Sequence, residues 1–502
     1  MMAHELAAAL LLIVARVFPL FFRPHDILFS DVLAHSMMVR YGKARPRELL
    51  HAGRNYPVVI HYLLARLPLP PRAFKFVPVL MDLLLFSLLA LALHALRAKG
   101  IIADHAAVTA LYLFALYPAF VIQFYGPRSY GLNERIAAEV LFNIAVLILI
   151  VWPSFWTAAI STVLLAILLL GSKFSIQAIV LVLLPAGVWL GSWPILASLA
   201  AAFLLALLTP GQNFAGKLRR QARHLLWYVD YLRQPDCWAG ARNRLPWPRK
   251  GESSKSALWR IFRFFTRDNA ISAGLLGHGL LLLALAMTAG AWPGDGPVHA
   301  AIVFTLAGTV AWLLTSFGVF KVLGEAERYL NYAAGPGFIV MAWAMSRLPP
   351  PLWLKVMIFA MLALMWLAVM AYLVWTNRRL DARRRALDPI VAWLRENDMD
   401  SRVISLLPTH ECWALTAALL ERFWWFDCFM RADWKQLLFR YPYPLCSTIT
   451  AGGHKLLVTS EKALAGLAAE EPCYEEIRHW RLLHKSGGYL IYAIPSRDRA
   501  RA

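Results

Sequence analysis

Charge is scarce in this chain, and negative charge scarcer still: Asp, Glu, Lys and Arg make up 16% of the 502 residues, with 30 acidic against 51 basic. Soluble proteins carry about 25% charged residues, so a water-exposed globule is excluded. Cysteine is rare too, at 5 residues with no C-x-x-C pair, which excludes a disulfide-stapled scaffold and a thiolate zinc cluster. Gly (28) and Pro (29) are too few for a collagen-like or low-complexity chain. No helix-turn-helix, zinc-finger or RNP pattern accompanies the basic residues, so nucleic acid is not an expected partner. Met1 to Glu5 lack a basic n-region and no small-residue cleavage site follows Leu6 to Phe22, so this stretch reads as a retained first helix.

What is abundant is apolar surface, 59% of residues at a mean hydropathy of +0.53. A membrane span needs about 20 largely apolar residues, and the sequence offers eleven candidates, at 6–22, 73–96, 105–122, 134–152, 154–171, 173–190, 193–209, 272–292, 298–320, 329–347 and 351–375. The expected architecture is mainly α, a polytopic helical membrane bundle over 1–376 followed by a small soluble α/β domain over 377–502. The membrane domain carries two long connections, 23–72 and 211–271. The second holds thirteen Lys/Arg against four acids, and its stretches Phe214 to Leu232 and Ala257 to Phe265 suit helices lying in the interface. In the tail, Ile390 to Glu396 and Trp413 to Arg422 read as helices, and Arg402 to Leu407, Lys455 to Thr459 and Gly488 to Ile494 as strands.

The face bearing the long connections carries 26 Lys/Arg without the tail, against 4 on the other face. The positive-inside rule places that basic face in the cytoplasm. A face that handles lipid phosphates has its own reason to be basic, and long loops are partly exempt from the rule.

The first connection is the most informative stretch: Phe29-Ser30-Asp31, His35, Arg40-Tyr41-Gly42, then Arg54-Asn55-Tyr56-Pro57 and His61. An acid just after the first span can meet a hydroxyl arriving from water and a lipid arriving from the bilayer, where a general base is useful. Asp31 could equally cap the helix that follows. Glu139 sits inside the fourth span, where an acid is a functional candidate by default, whereas Glu134 beside Arg135 reads as a satisfied surface acid. Glu325 and Glu327 can pair with Arg328 or Lys321.

The order of these features resembles the GT-C superfamily of integral-membrane glycosyltransferases, in particular the bacterial relatives of protein mannosyltransferases and aminoarabinose transferases. Asp31, Gly42 and Tyr56-Pro57 take the places of that family's early acid, glycine and Tyr-Pro-Pro segment. Gly171-Ser172-Lys173 resembles its turn ending in Lys after the fifth span, and Arg328-Tyr329 leading to Gly335-Pro336 resembles its late Arg-Tyr to Pro segment. The family's acidic pair is reduced here to Asp31-Val32 and its double proline to Pro57-Val58, and Asp26 is the alternative base.

The resemblance implies sugar transfer from a polyprenyl-phosphate donor to an acceptor hydroxyl on a lipid, glycan or protein. Asp31 would be the base, Arg54, Lys173 and Arg328 would hold the donor phosphate, and His35, Tyr56, His61, Glu139 and Tyr329 would line the substrate cavity. It also implies a multi-pass protein of a bacterial inner membrane, with the catalytic loop and the tail on the exoplasmic side. No cofactor is assigned, and a divalent cation is compatible with the chemistry. A transporter or flippase of lipid-linked sugars and a non-catalytic membrane scaffold are the alternatives.

Overall fold

The computed structural model describes residues 2–21, 38–39, 42–43, 58–69, 71–122, 134–232, 253–290, 292–397, 403–407, 411, 415, 455–468, 477 and 479–495. Asp26, Asp31, His35, Arg54, Tyr56 and most of the helix expected over 413–422 lie outside the described residues. The chain divides into two compact units, one within Met1–Phe21 and Tyr41–Ala371, the other within Phe22–Arg40 and Tyr372–Ala502.

Among its described residues the first unit holds helices and turns and no strand. In chain order its helices are α1 (Met2–Phe21), α2 (Val59–Arg66), α3 (Val77–Ala98), α4 (Asp104–Ala115), α5 (Pro118–Ile122), α6 (Glu134–Val151) and α7 (Phe155–Gly171). There follow α8 (Lys173–Ala178), a π turn, α9 (Leu184–Trp189), α10 (Trp193–Leu208), α11 (Phe214–Leu232), α12 (Ser254–Arg263) and α13 (Ala270–Met287). The run ends with α14 (Gly296–Ser316), α15 (Arg328–Tyr332), α16 (Ala334–Arg347) and α17 (Leu352–Arg385), the last continuing beyond the unit.

Each expected span coincides largely with helix, but the count of eleven is not confirmed. Among the described residues, five helices are long and apolar enough to cross a membrane: Ala3–Phe21, Ala73–Ala98, Ala270–Met287, Gly296–Ser316 and Leu352–Trp375. Phe155–Gly171, Lys173–Trp189 and Trp193–Leu208 are shorter apolar helices. The remaining three fall short for local reasons. Pro118 opens α5 and biases the residue before it away from helix, so 105–122 breaks into two pieces. The span expected at 329–347 breaks at Ala333, whose backbone (φ −98°, ψ 4°) leaves the helical region. Helix α6 keeps its length but carries Glu134, Arg135 and Glu139 in its first two turns.

Local chemistry sets several of these boundaries. Ser154 accepts from the Thr157 amide at 3.2 Å while Thr157 Oγ1 accepts from the Ser154 amide at 2.9 Å, a capping box that starts α7. Asn269 Oδ1 accepts from the amides of Ile271 and Ser272 and starts α13. Close approach depends on missing side chains: a Cβ on Gly308 would lie 2.5 Å from that of Ala333, so α14 can lie against the α15–α16 break only with glycine there.

A buried ion pair ties three of these helices together. Arg16 of α1 donates from Nε to Asp82 of α3 at 2.9 Å and from Nη1 to the Ala115 carbonyl at 3.0 Å, with both side chains at most 1% exposed. Nearby, the Tyr117 hydroxyl and His278 Nδ1 lie 2.7 Å apart, linking the α4–α5 junction to α13.

The amphipathic stretch expected over 214–232 forms α11 with those bounds. Its inward face is Phe214, Lys217 and Gln221, spaced at three and four residues as one helix face requires. Burial lowers the Lys217 ammonium from its usual 10.5 to about 8, because a charge loses hydration there. Between those values the folded chain binds fewer protons than the unfolded one, so stability rises with pH from about 8 to 10.5. Lys217→Met is therefore expected to gain stability on the parent at pH 7, offset in part by the lost bond from Lys217 Nζ to Gln212 Oε1, with the gap closing towards pH 10. Thermal unfolding of both proteins across that range checks it, and a constant gap would contradict it.

In the second unit, α18 (Asp388–Asn397) packs on a four-stranded sheet of β1 (Val403–Leu406), β2 (Leu456–Ser460), β3 (Leu482–Ser486) and β4 (Tyr489–Ala493). The order is β1-β2-β4-β3, with β1 parallel to β2 and the other pairs antiparallel. Leu387, Ile390, Leu394, Val403, Val458 and Ile491 belong to its core. A further helix, α19 (Glu461–Ala468), follows β2. Strand β3 was not among the expected strands. It is joined to β4 by Gly487-Gly488, both with positive φ (56° and 81°), as a two-residue hairpin turn requires.

Candidate functional site

The site is built at the end of the bundle where α6 begins and α7 ends. Helix α2 lies across the end of α7, because a Cβ on Gly171 would sit 2.6 Å from Cγ1 and 3.3 Å from the backbone nitrogen of Ile60. That approach brings the inward residue His61 to the start of α6, where its Nε2 is 3.8 Å from Glu134 Oε2. Both side chains are at most 3% exposed, which corrects the reading of Glu134 as a surface acid.

After Gly171 the chain turns through Ser172 into α8. Ser172 occupies the N-cap position yet makes no capping bond. Lys173 follows, and its carbonyl accepts from Gln221 Nε2 at 3.1 Å, which docks α11 onto this turn. Next comes Phe174, whose ring centroid lies 4.7 Å from the guanidinium carbon of Arg135 and 4.7 Å from that of Arg328. Arginine over an aromatic face is attractive by about 0.5–1 kcal/mol where exposed and about 2 kcal/mol where desolvated. Gly324 closes on the same ring: a Cβ there would be 2.9 Å from Phe174 Cε1, and its φ of +100° suits glycine. Glu325 is ion-paired with Arg328, one of the pairings expected from the sequence.

The break between α15 and α16 is held from α6. Asn143 Nδ2 donates to the carbonyls of Glu139 (2.7 Å) and Asn331 (2.9 Å), and its Oδ1 accepts from the Gly335 amide at 2.6 Å. One amide side chain thus satisfies backbone groups that an interrupted helix leaves open, which a bilayer interior demands. Asn331 Nδ2 in turn donates to Glu139 Oε1 at 3.2 Å. The Tyr329 hydroxyl donates to the Leu323 carbonyl at 3.0 Å, with Gln177 Oε1 at 3.3 Å.

Beside this satisfied network stands an unsatisfied one. Ser172 Oγ, Ser175 Oγ, Asn331 Oδ1, Tyr332 Oη and Arg328 Nη1 are buried without a hydrogen-bond partner. Leaving such a group unpaired costs about 1–3 kcal/mol.

Of the residues expected at a site, His61, Glu139, Lys173, Arg328 and Tyr329 are brought into this one region. Arg328 is only 7% exposed, too buried to be reaching for the interface. Arg135, Phe174, Asn143 and Tyr332 were not singled out. A signal existed for two of them, because Arg135, Glu139 and Asn143 recur every four residues in an otherwise apolar run and so share one helix face. Among the described residues no group of three His, Cys, Asp or Glu is placed to hold a metal ion.

No family model matches the chain, and no curated protein matches it. The solved structures similar to it include the following three. Arabinofuranosyltransferase AftD from Mycobacteria is 17% identical over 99% of this chain and 40% of its own length, with a TM-score of 0.44. ArnT from Cupriavidus metallidurans bound to undecaprenyl phosphate is 11% identical over 99% of this chain and 98% of its own, at 0.41. The Archaeoglobus fulgidus oligosaccharyltransferase complex with Zn and sulfate is 14% identical over 98% of this chain and 73% of its own, at 0.46. The chain thus spans two fifths of the AftD length.

Proposed function

We propose that this chain is a membrane glycosyltransferase that moves a sugar from a polyprenyl-phosphate donor to an acceptor hydroxyl, with its active face outside the cytoplasm. The observation that carries the reading is the placement of Arg135 and Arg328 on one Phe174 ring, next to Lys173, in a bundle whose outer helices expose apolar side chains. Cations held at the end of an apolar bundle suit an anion tethered to a lipid chain. Guanidinium can grip phosphate with two parallel hydrogen bonds, and Lys adds a point charge. The sequence likeness in the first connection adds the base.

In the reaction, the bond from the anomeric carbon to the donor phosphate oxygen breaks and a bond from that carbon to the acceptor oxygen forms. Asp31 takes the acceptor proton, and the phosphate leaves on its prenyl chain with its growing charge held by Arg135, Arg328 and Lys173.

The test is to incubate the purified chain in lipid nanodiscs with a prenyl-phosphate donor carrying a labelled sugar, together with extracted envelope glycans, lipids or proteins. Label should move to one acceptor fraction while free prenyl phosphate accumulates in equal amount. If, in sealed vesicles, the labelled lipid crosses the bilayer with its sugar still attached, the chain is a transporter and the proposal fails.

A further inference from the structure

The buried unsatisfied groups share one location. Arg328, Asn331 and Tyr332 lie three and four residues apart and so on one face of α15. Ser172 and Ser175 are one turn apart at the start of α8, and the Tyr332 hydroxyl lies beside Ser175. The Tyr332 ring is fixed edge-on against Phe142, with centroids 5.1 Å apart at 84°, so its hydroxyl is held in place. The unused capping capacity of Ser172 points the same way, since a serine in that position ordinarily spends its hydroxyl on the helix amides.

Resting on the proposed glycosyltransferase reading, we infer that these five groups form the subsite for the donor's sugar ring, with Arg328 shared between that ring and the phosphate held at Phe174. Their chemistry selects the occupant. Asn331 Oδ1 only accepts, Arg328 Nη1 only donates, and the three hydroxyls do either. An anion would be repelled by the Asn331 oxygen and by Glu139, to which the Asn331 amide donates. A cation would be repelled by Arg328. A neutral ring with several hydroxyls, each donor and acceptor at once, satisfies the whole set. Burial makes the set selective, because a ligand lacking those hydroxyls leaves the protein groups unpaired.

The experiment compares binding of a short-chain prenyl phosphate with binding of its hexosyl and pentosyl phosphodiesters, by native mass spectrometry, for the parent, Tyr332→Phe and Ser175→Ala. Each variant removes an unpaired hydroxyl, so neither should lower thermal stability. The parent should prefer one glycosylated lipid over the bare one. Each variant should lose about 5- to 30-fold of that lipid's affinity and bind bare prenyl phosphate unchanged. Bare lipid bound by the parent with no gain from any sugar, or variants that are more stable and bind every lipid as the parent does, would overturn the subsite alone. Failure of the parent to bind any of the lipids would overturn the glycosyltransferase reading and the subsite together.

Discussion

Asp31→Asn is expected to lower sugar transfer by about 10²–10⁴-fold, the contribution of a positioned general base, while prenyl-phosphate binding and thermal stability stay at the parent's values. Asn has nearly the same size and still caps a helix, so the change removes basicity and little else. Turnover measured at saturating donor isolates this effect from binding. Asp26→Asn, measured in parallel, should cost far less. A fully active Asp31→Asn beside a dead Asp26→Asn would move the base to Asp26, five residues earlier.

The second large effect is on stability. Asp82→Ala leaves the Arg16 guanidinium buried without its carboxylate, and breaking a buried pair from one side costs about 3–5 kcal/mol. Arg16 also donates to the Ala115 carbonyl, so the loss should reach α1, α3 and α4 together. Thermal unfolding in detergent should show a marked drop for Asp82→Ala. The double variant Arg16→Met with Asp82→Leu should recover most of it, because a desolvated pair can often be replaced by apolar residues of similar volume at little cost. An Asp82→Ala protein as stable as the parent would show that the pair contributes nothing.

The architecture was legible where apolar runs are long and clean. Helices α1, α3, α13 and α14 and the apolar part of α17, Leu352–Trp375, match the expected spans closely, although α17 continues ten residues further, to Arg385. Legibility failed where the chain breaks a run for geometric reasons. Pro118 was visible but was read as part of one span, and the break at Ala333 depends on Asn143, a partner 190 residues away that no local pattern reveals. The site was half legible for the same reason. Lys173, Arg328, His61, Glu139 and Tyr329 announce themselves as polar residues at the ends or inside of apolar helices, whereas Phe174 looks like any core aromatic until two arginines are seen against it. Glu134 was misread because a charge at a helix start ordinarily faces water, and only the approach of α2 over Gly171 buries it.

The most direct test of the account is the affinity of the purified protein for prenyl phosphate, measured by native mass spectrometry for the parent, Arg135→Gln and Arg328→Gln. If the Phe174 arginines hold the donor phosphate, each substitution should weaken binding by about tenfold or more, as loss of a charge-assisted hydrogen bond of about 1.5–3 kcal/mol requires. Arg328→Lys should also bind more weakly than the parent, since a point charge does not reproduce a planar fork. Parent-like affinity in both glutamine variants would contradict the account.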